Sequence, residues 1–323
     1  MLGREAVEGD PAEFRMVDQQ DPASGRGDHS PLGNCELLVG MEGDSARARG
    51  MGFWCRKDIL TEHGLTEPTT YADLEAFCVT LKDNGVSPLS MGGKFGWNTM
   101  RLTDYFLEYT AGPELHDQLA AREVSWDNPA VIEAYRLLQK WAEEEWIIPD
   151  FLNVDPSDAR FPWYEGAAAM VFEGDWMENA IKGDEQDHTN LSFFLPPTEH
   201  DQLRYSAFPE QIMIAADSEN PDAVAEFIDW WISPATQATH FLELGGSSAT
   251  ANVLPDEAEW PSLYKWRQVL ESSKATYAPT DQSFEVELYE GFFELQDLVI
   301  AGQLSPEEGA KEMQARVEDF GAD

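Results

Sequence analysis

Apolar positions recur at helical spacing in some stretches of the chain and run together in others. Leu74, Phe77, Cys78 and Leu81 share one face of a 3.6-residue period. They predict a helix with Thr70 as N-cap, Asp73 three residues on, and a stop at Asn84-Gly85. Val131, Ala134, Tyr135, Leu138, Trp141 and Ala142 form a second stripe, behind an Asp127 or Asn128 cap and with Pro129 in the first turn. Asn220-Pro221 opens a third, whose stripe is Val224, Phe227, Ile228 and Trp231. Thr99–Thr110 also reads as helical, and Asp58–Leu60 opens a short helix that stops near Gly64. Ser233-Pro234 starts a helix ending at Gly245-Gly246, and Ser305 with Glu308 makes a capping box for the last helix. Short apolar runs predict strands at Glu36–Val39, Ser87–Ser90, Ala169–Phe172, Leu191–Leu195 and Gln211–Ala215. Alternating strands and helices predict an α/β class, which collects ligands in a crevice at strand ends. No internal repeat interrupts this alternation.

The first 35 residues break the pattern. They are rich in Gly, Pro, Asp and Arg, lack apolar periodicity, and are expected to be irregular or disordered. Met1–Ser30 also lack the basic start and apolar core of a secretory leader. At 323 residues the whole chain is long enough for two domains.

Charge narrows the partners. The 61 acidic residues against 21 basic ones leave a formal net charge of −40, spread along the chain. Such a surface excludes nucleic acid and anionic lipid, which need a basic footprint. Its self-repulsion is relieved by salt, so adaptation to high salt is expected. Cys35, Cys55 and Cys78 form no C-x-x-C pair, and the six His have no metal-ligand spacing. No metal and no cofactor are therefore expected. The chain has no G-x-S-x-G, phosphate loop or H-E-x-x-H. Carboxylate pairs arise by chance among 61 acids, so they do not identify a glycosidase.

The aromatic supply fits carbohydrate binding: 11 Trp, 9 Tyr and 17 Phe. Trp97 is predicted in a glycine-rich loop, Met91–Gly96. Trp163 precedes the small-residue run that ends in Ala169-Met170-Val171-Phe172, and Trp176 follows it after Gly174-Asp175. A positive φ at Gly174 is expected to stop the chain sharply and hold Trp176 at the strand end, where its ring can stack on a sugar.

The run Glu165-Gly166-Ala167-Ala168-Ala169-Met170 with Gly174-Asp175-Trp176 resembles the "G-x-A-A-M-x-x-x-G-x-W" signature of the extracellular solute-binding proteins of sugar-importing ABC transporters. Phe53–Leu60, Glu62-His63-Gly64-Leu65 and Pro68–Leu74 are similar to that family's "Y-x-K-D-L-x-x-x-x-G-L-x-x-P-x-T-W-x-E-L". Ser125–Pro129, Asp217–Phe227 and Ala301–Glu308 fit further family motifs in the same order.

The resemblance implies a two-lobe, periplasmic-binding-protein-like (type II) α/β fold with a hinge, and a first lobe that this chain carries incompletely. It places 36–208 mainly in the C-terminal lobe, 209–253 in the N-terminal lobe, and 254–323 back in the C-terminal lobe. It implies a non-enzyme that closes around a mono- or oligosaccharide and delivers it to membrane permease subunits, outside the cell or in its envelope. The candidate ligand contacts are Trp176, Trp97 and Trp163, which lie outside the helical stripes, and the resemblance adds Tyr289 in the late helix as a further ring. Asp281 and Glu210 would accept hydrogen bonds from sugar hydroxyls. A secreted carbohydrate-active hydrolase and a non-functional truncated binding protein remain the alternatives.

Overall fold

A computed structural model of the chain describes residues 14–16, 45–200, 204–211, 213–215, 218–241, 254–272 and 276–321. The chain divides into two compact units, one of Met1–Arg49 with Pro209–Ser272, the other of Gly50–Phe208 with Ser273–Asp323. The returning segment, which the resemblance ends at 253, extends to Ser272 in this unit. Helix Pro261–Ser272 belongs to it and buries Leu263 and Trp266.

Within the first unit, strand Phe14–Met16 pairs antiparallel with Met213–Ala215. This corrects the expectation that residues 1–35 are irregular throughout. Glu36–Val39 and the predicted helix end at Gly245-Gly246 lie outside the described residues. Helix Pro221–Ile232 forms as predicted, with Pro221 in its first turn. Its stripe is less buried than the pattern implies: Ile228 is fully buried, but Phe227 is 52% exposed.

Most of the main sheet lies in the second unit. Strand order is Ser87–Ser90, Ala168–Gly174, Ser45–Arg56, Tyr205–Gln211 and Thr276–Tyr277, and Leu191–Phe194 also pairs with Ser45–Arg56. Strand Ala168–Gly174 is buried at every position. It runs parallel to Ser87–Ser90 and antiparallel to Ser45–Arg56, with Met51 opposite Gly174 and Gly52 opposite Glu173. A strand covered on both faces needs apolar or small side chains, which is the composition here from Ala168 to Phe172, with Glu173 the one charged residue. Phe53 packs against Phe172 at 4.6 Å and Phe194 at 5.3 Å between ring centres. Each such ring contributes roughly 1.5–3 kcal/mol when fully buried.

Helices cover this sheet. Tyr71–Asp83 starts with the predicted capping box between Thr70 and Asp73, and Pro129–Glu143 starts on the Asn128 side chain. Pro306–Phe320 starts with the Ser305–Glu308 box. The predicted helix at Thr99–Thr110 is longer, Trp97–Ala120, and breaks at Gly112-Pro113, where Gly112 has φ 73°. Arg204 braces the break. It donates to both Glu108 carboxylate oxygens at 2.9 and 2.7 Å, to Asp117, and to the Pro113 carbonyl at 3.0 Å. Burial pushes the Glu108 carboxyl up, but the bonds from His116 and Arg204 outweigh it and hold it at about 2. The two halves of this long helix are thereby tied together across the break. Among the described residues no helix is long and apolar enough to cross a membrane.

Candidate functional site

A cavity of about 420 Å³ opens in the second unit, and every residue lining it belongs to that unit. Its size falls in the range of small-molecule pockets. Strand Ala168–Gly174 supplies Glu173 and, just past its end, Trp176. Trp97 and Arg101, one helical turn apart on helix Trp97–Ala120, supply a second wall. Asp281 and Arg160 close two further sides.

Trp176 is placed by its neighbours. Its indole Nε1–H donates to Glu173 Oε2 at 2.9 Å, and its ring meets the Trp97 ring edge-on, 6.3 Å between centres. Gly174 does not take a positive φ; among the described glycines that conformation belongs to others, including Gly96 and Gly166. Gly174 is needed for a different reason. A Cβ there would lie 2.0 Å from Cζ3 of Trp176, so the indole lies directly over the glycine.

Trp97 is not in a loop, as expected, but is the first residue of its helix. Gly96 before it has φ 75°, and a Cβ at Gly96 would strike the Phe293 ring at 2.6 Å. Gln296 fixes the turn by donating Nε2–H to the Gly96 carbonyl at 2.9 Å.

Asp281 reaches the cavity because Asp104 anchors the residue before it. Asp104 accepts from the Thr280 amide at 3.0 Å and from its hydroxyl at 2.6 Å. Arg101 then pairs with Asp281, Nη2 to Oδ1 at 3.2 Å. Arg101 is only 3% exposed and its guanidinium lies 4.6 Å from the Phe208 ring centre. Its Nε and Nη1 have no hydrogen-bond partner among the described residues. Burial pushes the Asp281 carboxyl up, opposed by Arg101. Burial also pushes Glu173 up, to about 7, against the pull of Arg160 and the Trp176 bond. Asn98 donates to the other Glu173 oxygen at 3.3 Å.

Of the six residues singled out in the sequence, Trp176, Trp97 and Asp281 line one cavity. Trp163 does not belong with them. It is 1% exposed and donates its Nε1–H to the Ala169 carbonyl at 3.1 Å, which makes it a core residue. Tyr289 is also absent from the lining; it packs beside Phe293, 5.4 Å between ring centres. Glu210 falls in strand Tyr205–Gln211, and its side chain lies outside the described residues. Sequence reasoning missed Arg101, Glu173 and Arg160. A Glu immediately after a fully apolar strand run was the one signal available, for Glu173. A larger cavity of about 690 Å³ lies between the last two helices, floored by Leu295, Leu298 and Leu304 with charged residues at its rim. It presents no aromatic ring. Among the described residues no group of three His, Cys, Asp or Glu is placed to hold a metal ion.

The sequence profile of the family described as "Bacterial extracellular solute-binding protein" matches residues 43–238, more than half of the chain. An uncharacterized ABC transporter extracellular-binding protein of Pyrococcus horikoshii is 23% identical over 230 residues, 71% of this chain and 51% of that protein. The glucose-binding protein GlcS of Saccharolobus solfataricus is 25% identical over 134 residues, 41% of this chain and 24% of that protein. The chain thus spans about half or less of the length of these curated relatives. Among solved structures, a chitin oligosaccharide binding protein superposes with a TM-score of 0.79 at 21% identity, covering 86% of this chain and 71% of that one.

Proposed function

The chain belongs to the family of bacterial extracellular solute-binding proteins and has its two-lobe, type II α/β fold, and we propose that it captures a carbohydrate for an ABC importer. The second unit is then the C-terminal lobe, and its cavity contributes the sugar-facing wall. Its partners are the sugar and the importer's membrane permease subunits, and it works outside the cell or in the envelope. Nucleic acid is not a partner of a chain with a net charge of −40.

The observation that carries this reading is the pair of indoles, Trp97 and Trp176, 6.3 Å apart on a cavity that also presents Arg101, Glu173 and Asp281. Flat apolar rings bury the C–H face of a sugar, while a few fixed donors and acceptors orient its hydroxyls. Two of the similar proteins carry sugar names, glucose and a chitin oligosaccharide, which fits the same ligand class.

Saturation-transfer NMR against mono- and disaccharides, with reducing ends followed in parallel, tests the proposal. Saturable transfer from at least one sugar with constant reducing ends is expected. Sustained release of reducing ends replaces binding by hydrolysis, and no transfer from any sugar removes the carbohydrate reading.

A further inference from the structure

Resting on the reading of this cavity as a sugar site, we propose that its ligand is an acidic sugar, a uronic acid or an oligosaccharide bearing one, whose carboxylate is held by Arg101.

Arg101 is 3% exposed and lines the cavity, yet among the described residues only one of its three nitrogens, Nη2, is paired, with Asp281. Nε and Nη1 have no hydrogen-bond partner among the described residues. A buried guanidinium with unused N–H groups is costly unless a ligand completes it. The Phe208 ring stacks near the guanidinium, 4.6 Å from Cζ. A carboxylate suits those N–H groups better than a neutral hydroxyl, because the bond is then charge-assisted.

The charge balance of the wall points the same way. Over the whole chain acidic residues outnumber basic ones by 61 to 21. The cavity departs from that ratio, with Arg101 and Arg160 facing Asp281 and Glu173. Asp281 is committed to Arg101. Arg160 is held only loosely, by Asp184 at 3.8 Å and by the Ser157 carbonyl at 3.3 Å. Glu173 is engaged from both sides, by Trp176 and Asn98, as an acceptor. Burial keeps part of its population protonated at neutral pH. The wall is therefore close to charge-balanced where the chain as a whole is strongly anionic. Long-range repulsion from that surface does not oppose an anion in molar salt, where the Debye length is about 3 Å.

The test is calorimetry at pH 7 in about 1 M NaCl. Galacturonate, glucuronate and digalacturonate are compared with galactose and glucose, on the wild type, Arg160→Gln and the charge-neutral pair Arg101→Gln/Asp281→Asn. A uronate should bind about tenfold or more tighter than its neutral parent, the scale of one charge-assisted hydrogen bond. Both variants should shrink that preference while circular dichroism stays unchanged. Equal or tighter binding of the neutral sugars overturns the acidic-ligand proposal and leaves the carbohydrate reading intact. Uronate affinity unchanged in the folded Arg101→Gln/Asp281→Asn variant overturns the role of Arg101. Binding of neither class overturns both readings.

Discussion

Trp176 and Glu173, three residues apart, are joined by a 2.9 Å hydrogen bond from the indole Nε1–H to the buried carboxyl. The bond turns the ring back over Gly174, where a Cβ would sit 2.0 Å from Cζ3. Gly174→Ala must therefore displace the indole. The expected cost is about 1–3 kcal/mol in stability, the usual scale of overpacking, with a loss of sugar affinity alongside. Thermal melts and calorimetry on the variant check this; unchanged affinity would detach Trp176's position from the ligand.

Glu173 gives the fold a pH dependence of defined sign. Its carboxyl titrates at about 7 in the folded chain, against a reference of 4.5. Between those values the folded state keeps a proton that the unfolded chain has lost. This stabilising contribution is complete below pH 4.5 and is lost as pH rises through 7. The span corresponds to about 3 kcal/mol. Glu173→Gln removes the titration, and Asn98 can meet the new amide by turning its own. Relative to wild type, the variant should gain on the order of 3 kcal/mol between pH 4 and pH 8 in denaturant unfolding. A difference between the two proteins that stays flat with pH contradicts the burial-driven shift.

Salt should govern stability as well. With a net charge of −40, lowering NaCl from molar to about 0.01 M lengthens the Debye length to about 30 Å and unscreens the repulsion. The melting temperature should fall steeply, and acidification to about pH 4.5 should partly restore it by protonating carboxylates. A melting temperature independent of salt across that range would leave the charge as ordinary solubilising surface.

Features set by neighbours in sequence were legible. Both capping boxes, Thr70–Asp73 and Ser305–Glu308, form as the local pattern predicts. The buried strand before Gly174 was legible too, and three of the six residues singled out, Trp176, Trp97 and Asp281, lie at one cavity. Features set by distant contacts were not. Strand Ser45–Arg56 is fully buried from Met51 to Cys55, so that half shows no polar–apolar alternation to read. Arg101 looks like a surface residue in a helix until Asp281, 180 positions away, is brought against it. Trp163 beside Tyr164 resembles an exposed platform, but the Ala169 carbonyl draws its indole into the core. Gly174 was read for its torsion when its use is the missing Cβ.

The central claim is that the Trp97–Trp176 wall binds a sugar. Calorimetric titration of the wild type, Trp97→Ala and Trp176→Ala with the tightest-binding carbohydrate, in about 1 M NaCl, tests it most directly. Each substitution should weaken binding by roughly 1–3 kcal/mol, the scale of a lost aromatic contact, with circular dichroism unchanged. Wild-type affinity in both folded variants would contradict the claim and assign the two indoles to packing.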